Sequence, residues 1–205
     1  YGDHRDLHKE YRRQRQMCIR DRLWVSHDRA SISPPSRDRD AKEHNLHWDM
    51  NLENPPFGFG VQGVLYLTDT PDNQGAFVCL PGFHLKVHEW LRSLPEGADP
   101  REVVREEFGD QAVTIKGGAG DLVIWHTALP HGSSPNSAEV PRIGQYITMS
   151  PVRREPSEES RAESERWWQE RLTGLSKNEK AQEHREGTTA TLTPLGRRLL
   201  GVDSW

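Results

Sequence analysis

The chain has 205 residues, a net charge of −4, 33% hydrophobic and 28% charged side chains. That length suits one domain with a sizeable core, and the mild acidity gives no electrostatic case for a nucleic-acid partner. No apolar run nears the roughly 20 residues of a bilayer span, and two cysteines make no disulfide framework, so a cytoplasmic protein without a membrane partner is expected.

In chain order, the opening YGDHRDLHKEYRRQRQMCIRDR (1–22) has no apolar period. Codons able to encode MCIRD resemble a transposon-end sequencing adapter. Residues 1–22 are therefore read as translated adapter on a metagenomic fragment, or as a disordered basic arm, and His4, His8 and Cys18 then carry no function. The expected core is 23–155, with 156–205 a C-terminal helix and tail packing on it.

Ser31–His44 is rich in Pro, Ser and charge and reads as loop. His47–Asn51 reads as a short strand and Asn54–Gly58 as a turn. Phe59–Asp69 is β-branched and aromatic, a central strand, and Ala76–Pro81 a second. His84–Leu94 has helical spacing, with His84 anchoring a turn, and Asp99–Gly109 reads as a capped helix. Strands return at Ala112–Lys116, Asp121–Thr127 and Arg142–Ser150. Pro156–Gly174 reads as a helix N-capped by Ser157, its Trp167 and Trp168 covering a neighbouring surface, and Thr189–Gly201 as a packed tail. Short strands with frequent turns point to a mainly β jelly roll with flanking helices.

Four residue types on this scaffold carry chemistry. In NLHWDMN, His47 and Asp49 lie on one face of an extended chain and Trp48 on the other. Such a pair holds a metal, shares a proton or forms a surface hydrogen bond. GDLVIWHTALPHGSSPN (Gly120–Asn136) offers His126, within a strand, and His131, at its exit, as a third ligand. A site at the mouth of a β-barrel takes a ligand from a strand end, which favours His131. Two imidazoles and one carboxylate on one face of a metal leave three positions open, the pattern of non-haem Fe(II) oxygenases. Those positions accept a bidentate 2-oxo acid and then O2. The far carboxylate of that cosubstrate needs a fixed cation. Arg142, eleven residues past His131, suits it because a guanidinium matches a carboxylate in two hydrogen bonds; Ser133 adds a hydroxyl.

The segments LHWD, LYLTDTPDNQGAFVCLPGFH, GDLVIWHTALPHGSSPN and PRIGQYITMSP follow one another in an order similar to that of the phytanoyl-CoA dioxygenase family of Fe(II)/2-oxoglutarate oxygenases. The resemblance covers about half the chain. It implies a double-stranded β-helix, His47, Asp49 and His131 as iron ligands, and Arg142 with Ser133 on the distal carboxylate of 2-oxoglutarate. It leaves His126 to packing. Departures are Phe83 within PGFH, where the family has Ser, and a short segment before His47. The strand GVLYL also lacks the family's pocket-closing tryptophan, which leaves Gln62 or Tyr66 to enclose the cosubstrate.

The implied reaction hydroxylates a C–H bond of a small or lipophilic molecule while 2-oxoglutarate becomes succinate and CO2. Asp49 speaks against halogenation, which needs a small residue there to admit halide. The alternatives are a non-catalytic jelly-roll binding protein or inactive fragment, and a cupin-like metal enzyme indifferent to 2-oxoglutarate. The substrate and the oligomeric state are not legible.

Overall fold

The computed structural model of the chain describes residues 22–26, 30–36, 44–53, 57, 59–152, 155–170 and 188–205. The reading of residues 1–22 as adapter or arm lies outside the described residues except at Arg22. So do residues 171–174 of the C-terminal helix and most of the Asn54–Gly58 turn. Among the described residues the strands are β1 (Leu23–Val25), β2 (Ala30–Ser33), β3 (Val61–Tyr66), β4 (Phe77–Cys79), β5 (Val113–Ile115), β6 (Leu122–His126), β7 (His131–Ser133) and β8 (Arg142–Pro151). The α-helices are α1 (Val87–Ser93), α2 (Pro100–Phe108), α3 (Glu158–Gln169) and α4 (Pro194–Leu199). They belong to two compact units, one of residues 28–148 and one of the segments 1–27 and 149–205.

Within 28–148, β2 pairs antiparallel with β8 from Ala30 opposite Gln145 to Ser33 opposite Arg142. On its other side β8 neighbours β3, and β3 pairs with β6 from Val61 opposite His126 to Leu65 opposite Leu122. A second antiparallel sheet runs β5-β4-β7, with Phe77 between Ile115 and Ser133. The sheets face each other. The rings of Phe77 and Trp125 stand 4.3 Å apart across the gap, and Leu46, Trp48, Val64, Val78 and Phe83 are buried in the same core. This is the mainly β jelly-roll arrangement with flanking helices that the strand pattern predicts, and the described strands do not close into a barrel.

Tyr66 ties the two sheets together through its hydroxyl, which donates to the Ile115 carbonyl (2.7 Å) and accepts from the Phe77 amide (2.9 Å). Burial pushes its phenol pKa up, so the group stays a neutral bridge. α2 starts as its sequence predicts: Asp99 accepts from the Arg101 amide, Pro100 takes the first turn, and the helix stops at Gly109.

Several expectations change. His47–Asn51 is not a strand; His47 alone pairs, in one bridge with His131, because the chain bends from Asp49 onward. Ser31–His44 is not all loop, since Ser31–Ser33 complete β2. That strand has no buried apolar face to announce it and is held by backbone pairing with β8. His84 lies in a short 3-10 turn, Phe83–Leu85, that precedes α1. His131 does not end a strand but begins one, β7. Asn136 is buried, and its amide donates to the carbonyls of Ser33 (2.9 Å) and Val140 (3.0 Å).

In the other unit β1 pairs with the end of β8, Leu23 opposite Pro151. Ser157 caps α3 by accepting from the Ser160 amide, and Trp168 donates to the Ala190 carbonyl at 3.0 Å. Arg197 forks onto Asp203 at 2.9 and 3.1 Å. No described helix is long and apolar enough to cross a membrane.

Candidate metal centre

The segment bearing His47 is held along both edges. The His47 amide donates to the His131 carbonyl at 2.8 Å, and the His131 amide returns to the His47 carbonyl at 3.0 Å. The carbonyls of Leu46 and Trp48 are taken by α2, where Arg105 donates to Leu46 (3.4 Å) and Arg101 to Trp48 (3.1 Å). One turn of α2 thus supplies the donors that a second strand would. Between these edges Leu46 and Trp48 are buried, and the Trp48 indole donates to the Ala128 carbonyl at 2.9 Å.

On the opposite face three side chains converge. Nε2 of His47 lies 3.3 Å from Oδ1 of Asp49, and Nε2 of His131 lies 3.3 Å from Oδ2. One donor atom from each residue fits within 4.8 Å of the others. Each ring is oriented by its other nitrogen: Nδ1 of His47 donates to the Asn45 carbonyl (2.7 Å) and Nδ1 of His131 to the Leu129 carbonyl (2.9 Å). A carbonyl oxygen only accepts, so both Nδ1 atoms carry hydrogen. In the neutral ring Nε2 then offers a lone pair. Two lone pairs aimed at a carboxylate repel it unless a proton or a cation lies between them. Ligand distances of about 2.0–2.2 Å put adjacent donors around an ion about 3 Å apart, and the observed separations match. The group is therefore able to hold a metal ion.

Without an ion, protons on the Nε2 atoms take that place: hydrogen bonding to His131 first, and to His47 next, then holds the Asp49 carboxyl far below the usual carboxylate range, so it is ionised. The bond to Asp49 is also the main cause raising the His47 imidazole. Asp49's side chain is 53% exposed and His131's 5%, which leaves the centre open on the carboxylate side and walled behind His131. Trp125 and Phe77 form that wall, with ring centroids 4.9 and 5.9 Å from His131.

The other predicted residues divide. Gln62 joins the centre, its amide nitrogen 2.6 Å from Oδ2 of Asp49. Tyr66 spends its hydroxyl on the two sheets. Ser133 sits half-buried on β7 opposite Phe77. Arg142 is 3% exposed; it donates to the Tyr146 hydroxyl at 3.1 Å, its Nε has no hydrogen-bond partner, and no carboxylate among the described residues pairs with it. His126 is not in the metal-capable group. Its Nδ1 accepts from the Ala128 amide, and its ring lies against Phe59 and His84.

Sequence reasoning missed Gly132, whose signal is its place directly after His131. A Cβ there would run into the Asn45 carbonyl, reaching 2.7 Å from its carbon, and that same carbonyl orients His47. Gly132→Ala is expected to lower stability by about 1–3 kcal/mol through overpacking and to weaken metal binding by separating His47 from His131. Chemical denaturation and Co(II) titration of the variant would check both, and an unchanged metal affinity would refute the coupling.

Comparisons with known proteins bear on the same segment. A family model described as Phytanoyl-CoA dioxygenase (PhyH) matches residues 4–144. A Dictyostelium discoideum protein named "Putative phytanoyl-CoA dioxygenase" is 31% identical over 169 residues, 63% of this chain and 48% of that protein. The chain thus spans about half the length of that curated relative. Among solved structures, EctD from S. alaskensis with 2-oxoglutarate and 5-hydroxyectoine aligns at 18% identity and a TM-score of 0.48, over 67% of this chain and 47% of its own. The carbocyclase SnoK from nogalamycin biosynthesis aligns at 21% and 0.46, over 60% and 47%. EvdO2 from Micromonospora carbonacea complexed with 2-oxoglutarate aligns at 21% and 0.43, over 67% and 56%.

Proposed function

The chain belongs to the phytanoyl-CoA dioxygenase family, and on that premise we propose that it is an Fe(II)- and 2-oxoglutarate-dependent oxygenase that hydroxylates a C–H bond of a small or lipophilic molecule. The observation that carries this reading is the convergence of two imidazole Nε2 atoms on one carboxylate, each ring oriented by a backbone carbonyl. His47, Asp49 and His131 would hold the iron. Bound there, Fe(II) supplies a centre at which 2-oxoglutarate and O2 react to give succinate, CO2 and the oxidant for the substrate C–H bond.

The chain's own residues bind, orient and exclude water. The Nδ1–H···O=C bonds fix ring direction before any ion arrives, which lowers the ordering cost of binding. Trp125 and Phe77 keep water from the His131 side, and the exposed side of Asp49 is the approach for cosubstrate and substrate. Arg142, buried and without a carboxylate partner among the described residues, would hold the distal carboxylate of 2-oxoglutarate, with the Ser133 hydroxyl as a second donor.

The test is anaerobic mixing of metal-free protein with Fe(II) and 2-oxoglutarate. A weak visible charge-transfer band is expected, and admission of O2 should convert 2-oxoglutarate to succinate even without substrate, though slowly. If the protein binds iron yet neither the band nor succinate develops, the reading gives way to a metal protein of another kind. If it binds no metal, the non-catalytic alternative stands.

A further inference from the structure

We propose that Gln62 is a positioning residue that keeps Asp49 a one-oxygen ligand, and that Trp125 fixes the Gln62 amide for this task; the inference rests on the reading of His47, Asp49 and His131 as a metal centre. The direction of the hydrogen-bond chain is set by chemistry. An indole N–H only donates. The Trp125 Nε1 therefore requires an acceptor, and the Gln62 Oε1 meets it at 3.2 Å. That choice turns the amide nitrogen toward Asp49, where it donates to Oδ2 at 2.6 Å. A flipped amide would place oxygen against carboxylate and N–H against N–H, two repulsions at once. Gln62 is 8% exposed and Trp125 5%, so water is poorly placed to relieve either.

The consequence is a count of coordination positions. A carboxylate that chelates through both oxygens occupies two positions on an ion; one that binds through a single oxygen occupies one. The amide takes one lone pair of Oδ2 and draws charge toward it, which makes Oδ1 the stronger donor for the metal. Two imidazoles and one oxygen then leave three of six positions, two for a 2-oxo acid and one for O2. Chelation by both oxygens would leave only two, enough for the 2-oxo acid and none for O2. Gln62 thereby protects the vacancy on which the reaction depends, without touching substrate.

Co(II), whose visible bands respond to coordination number, is the probe. The full chain, Gln62→Met, Trp125→Phe and the double variant would be titrated anaerobically with Co(II) and then with 2-oxoglutarate, after melting curves have established folding. The parent is expected to bind Co(II) and to change spectrum with 2-oxoglutarate. Gln62→Met should show a shifted Co(II) spectrum before any 2-oxoglutarate is added, and bind 2-oxoglutarate about 10- to 100-fold more weakly, the range seen for outer-shell partners of metal ligands. Trp125→Phe should move both readings in the same direction by less, and the double variant should be no worse than Gln62→Met. Trp125→Phe keeps Gln62 in place and carries the test where Gln62→Met fails to fold. A Gln62→Met spectrum that superimposes on the parent's, with unchanged 2-oxoglutarate affinity, overturns the proposal. Additive losses in the double variant overturn the part assigned to Trp125. A parent that binds no Co(II) overturns the metal reading itself, a result distinct from either.

Discussion

His131→Ala is expected to lower Fe(II) or Co(II) affinity by at least about a thousandfold, beyond the 10- to 100-fold of an outer-shell change, while His126→Ala stays near the parent. The two histidines are five residues apart, yet their surroundings differ in kind. His131 is buried, has its Nδ1–H fixed by the Leu129 carbonyl, and turns Nε2 to within 3.3 Å of Asp49. His126 uses Nδ1 to accept from the Ala128 amide and packs its ring on Phe59 and His84. Removing His131 leaves two donors, too few to displace the ion's water shell with a fixed face. Removing His126 takes a packed ring from the end of β6 and touches no donor. Metal titration of both variants beside their melting temperatures checks this. A His126→Ala variant that folds normally and loses metal as completely as His131→Ala would sink the assignment.

The grouping of His47, Asp49 and His131 was legible because its logic is local or chemical. H-x-D requires only an extended peptide to put His47 and Asp49 on one side, and the structure keeps them together although it is a bend and a single bridge, not a strand. Arg142 was chosen from the chemistry of a carboxylate needing a fork, and the structure shows it buried beside Tyr146. The support for these residues was not legible. Gln62 entered the sequence reading as a pocket wall; its bond to Asp49 depends on where Trp125, 63 positions away, places its indole. Nothing in the sequence singles out Arg101 and Arg105 on the Asp99–Gly109 helix, and only the docking of α2 shows that they hold the carbonyls on either side of His47. Ser31–Ser33 and His131–Ser133 escaped as strands because short pairings carry no hydrophobic period of their own; their partners β8 and β4 confer them. The strands with strong patterns, Val61–Tyr66 and Arg142–Pro151, fell within or at the edges of the expected segments.

Arg142→Met is expected to raise the 2-oxoglutarate concentration needed for binding by about 100-fold, corresponding to about 2.7 kcal/mol, and to leave the protein's own stability equal or higher. The first effect follows from pairing: truncating one side of a buried, hydrogen-bonded charge pair costs about 2–5 kcal/mol. The second follows from what the guanidinium lacks without cosubstrate. It is 3% exposed, donates to Tyr146, leaves Nε without a partner and has no carboxylate among the described residues. Burying such a group opposes folding, and a well-packed apolar chain in its place is often neutral or stabilising. A residue retained for structure would behave in the opposite way, losing stability and sparing affinity. Arg142→Lys separates charge from shape: it keeps the cation but not the planar fork, and should fall between the two, about tenfold weaker than the parent. Melting curves with and without 2-oxoglutarate in the presence of Co(II) read both quantities in one experiment, since a ligand that binds only the folded state raises the midpoint with the logarithm of its concentration over Kd. The parent's midpoint should climb with 2-oxoglutarate, and that of Arg142→Met should climb only at about 100-fold higher concentration. If Arg142→Met melts earlier and still responds to 2-oxoglutarate like the parent, Arg142 is a structural residue and the distal carboxylate is held elsewhere.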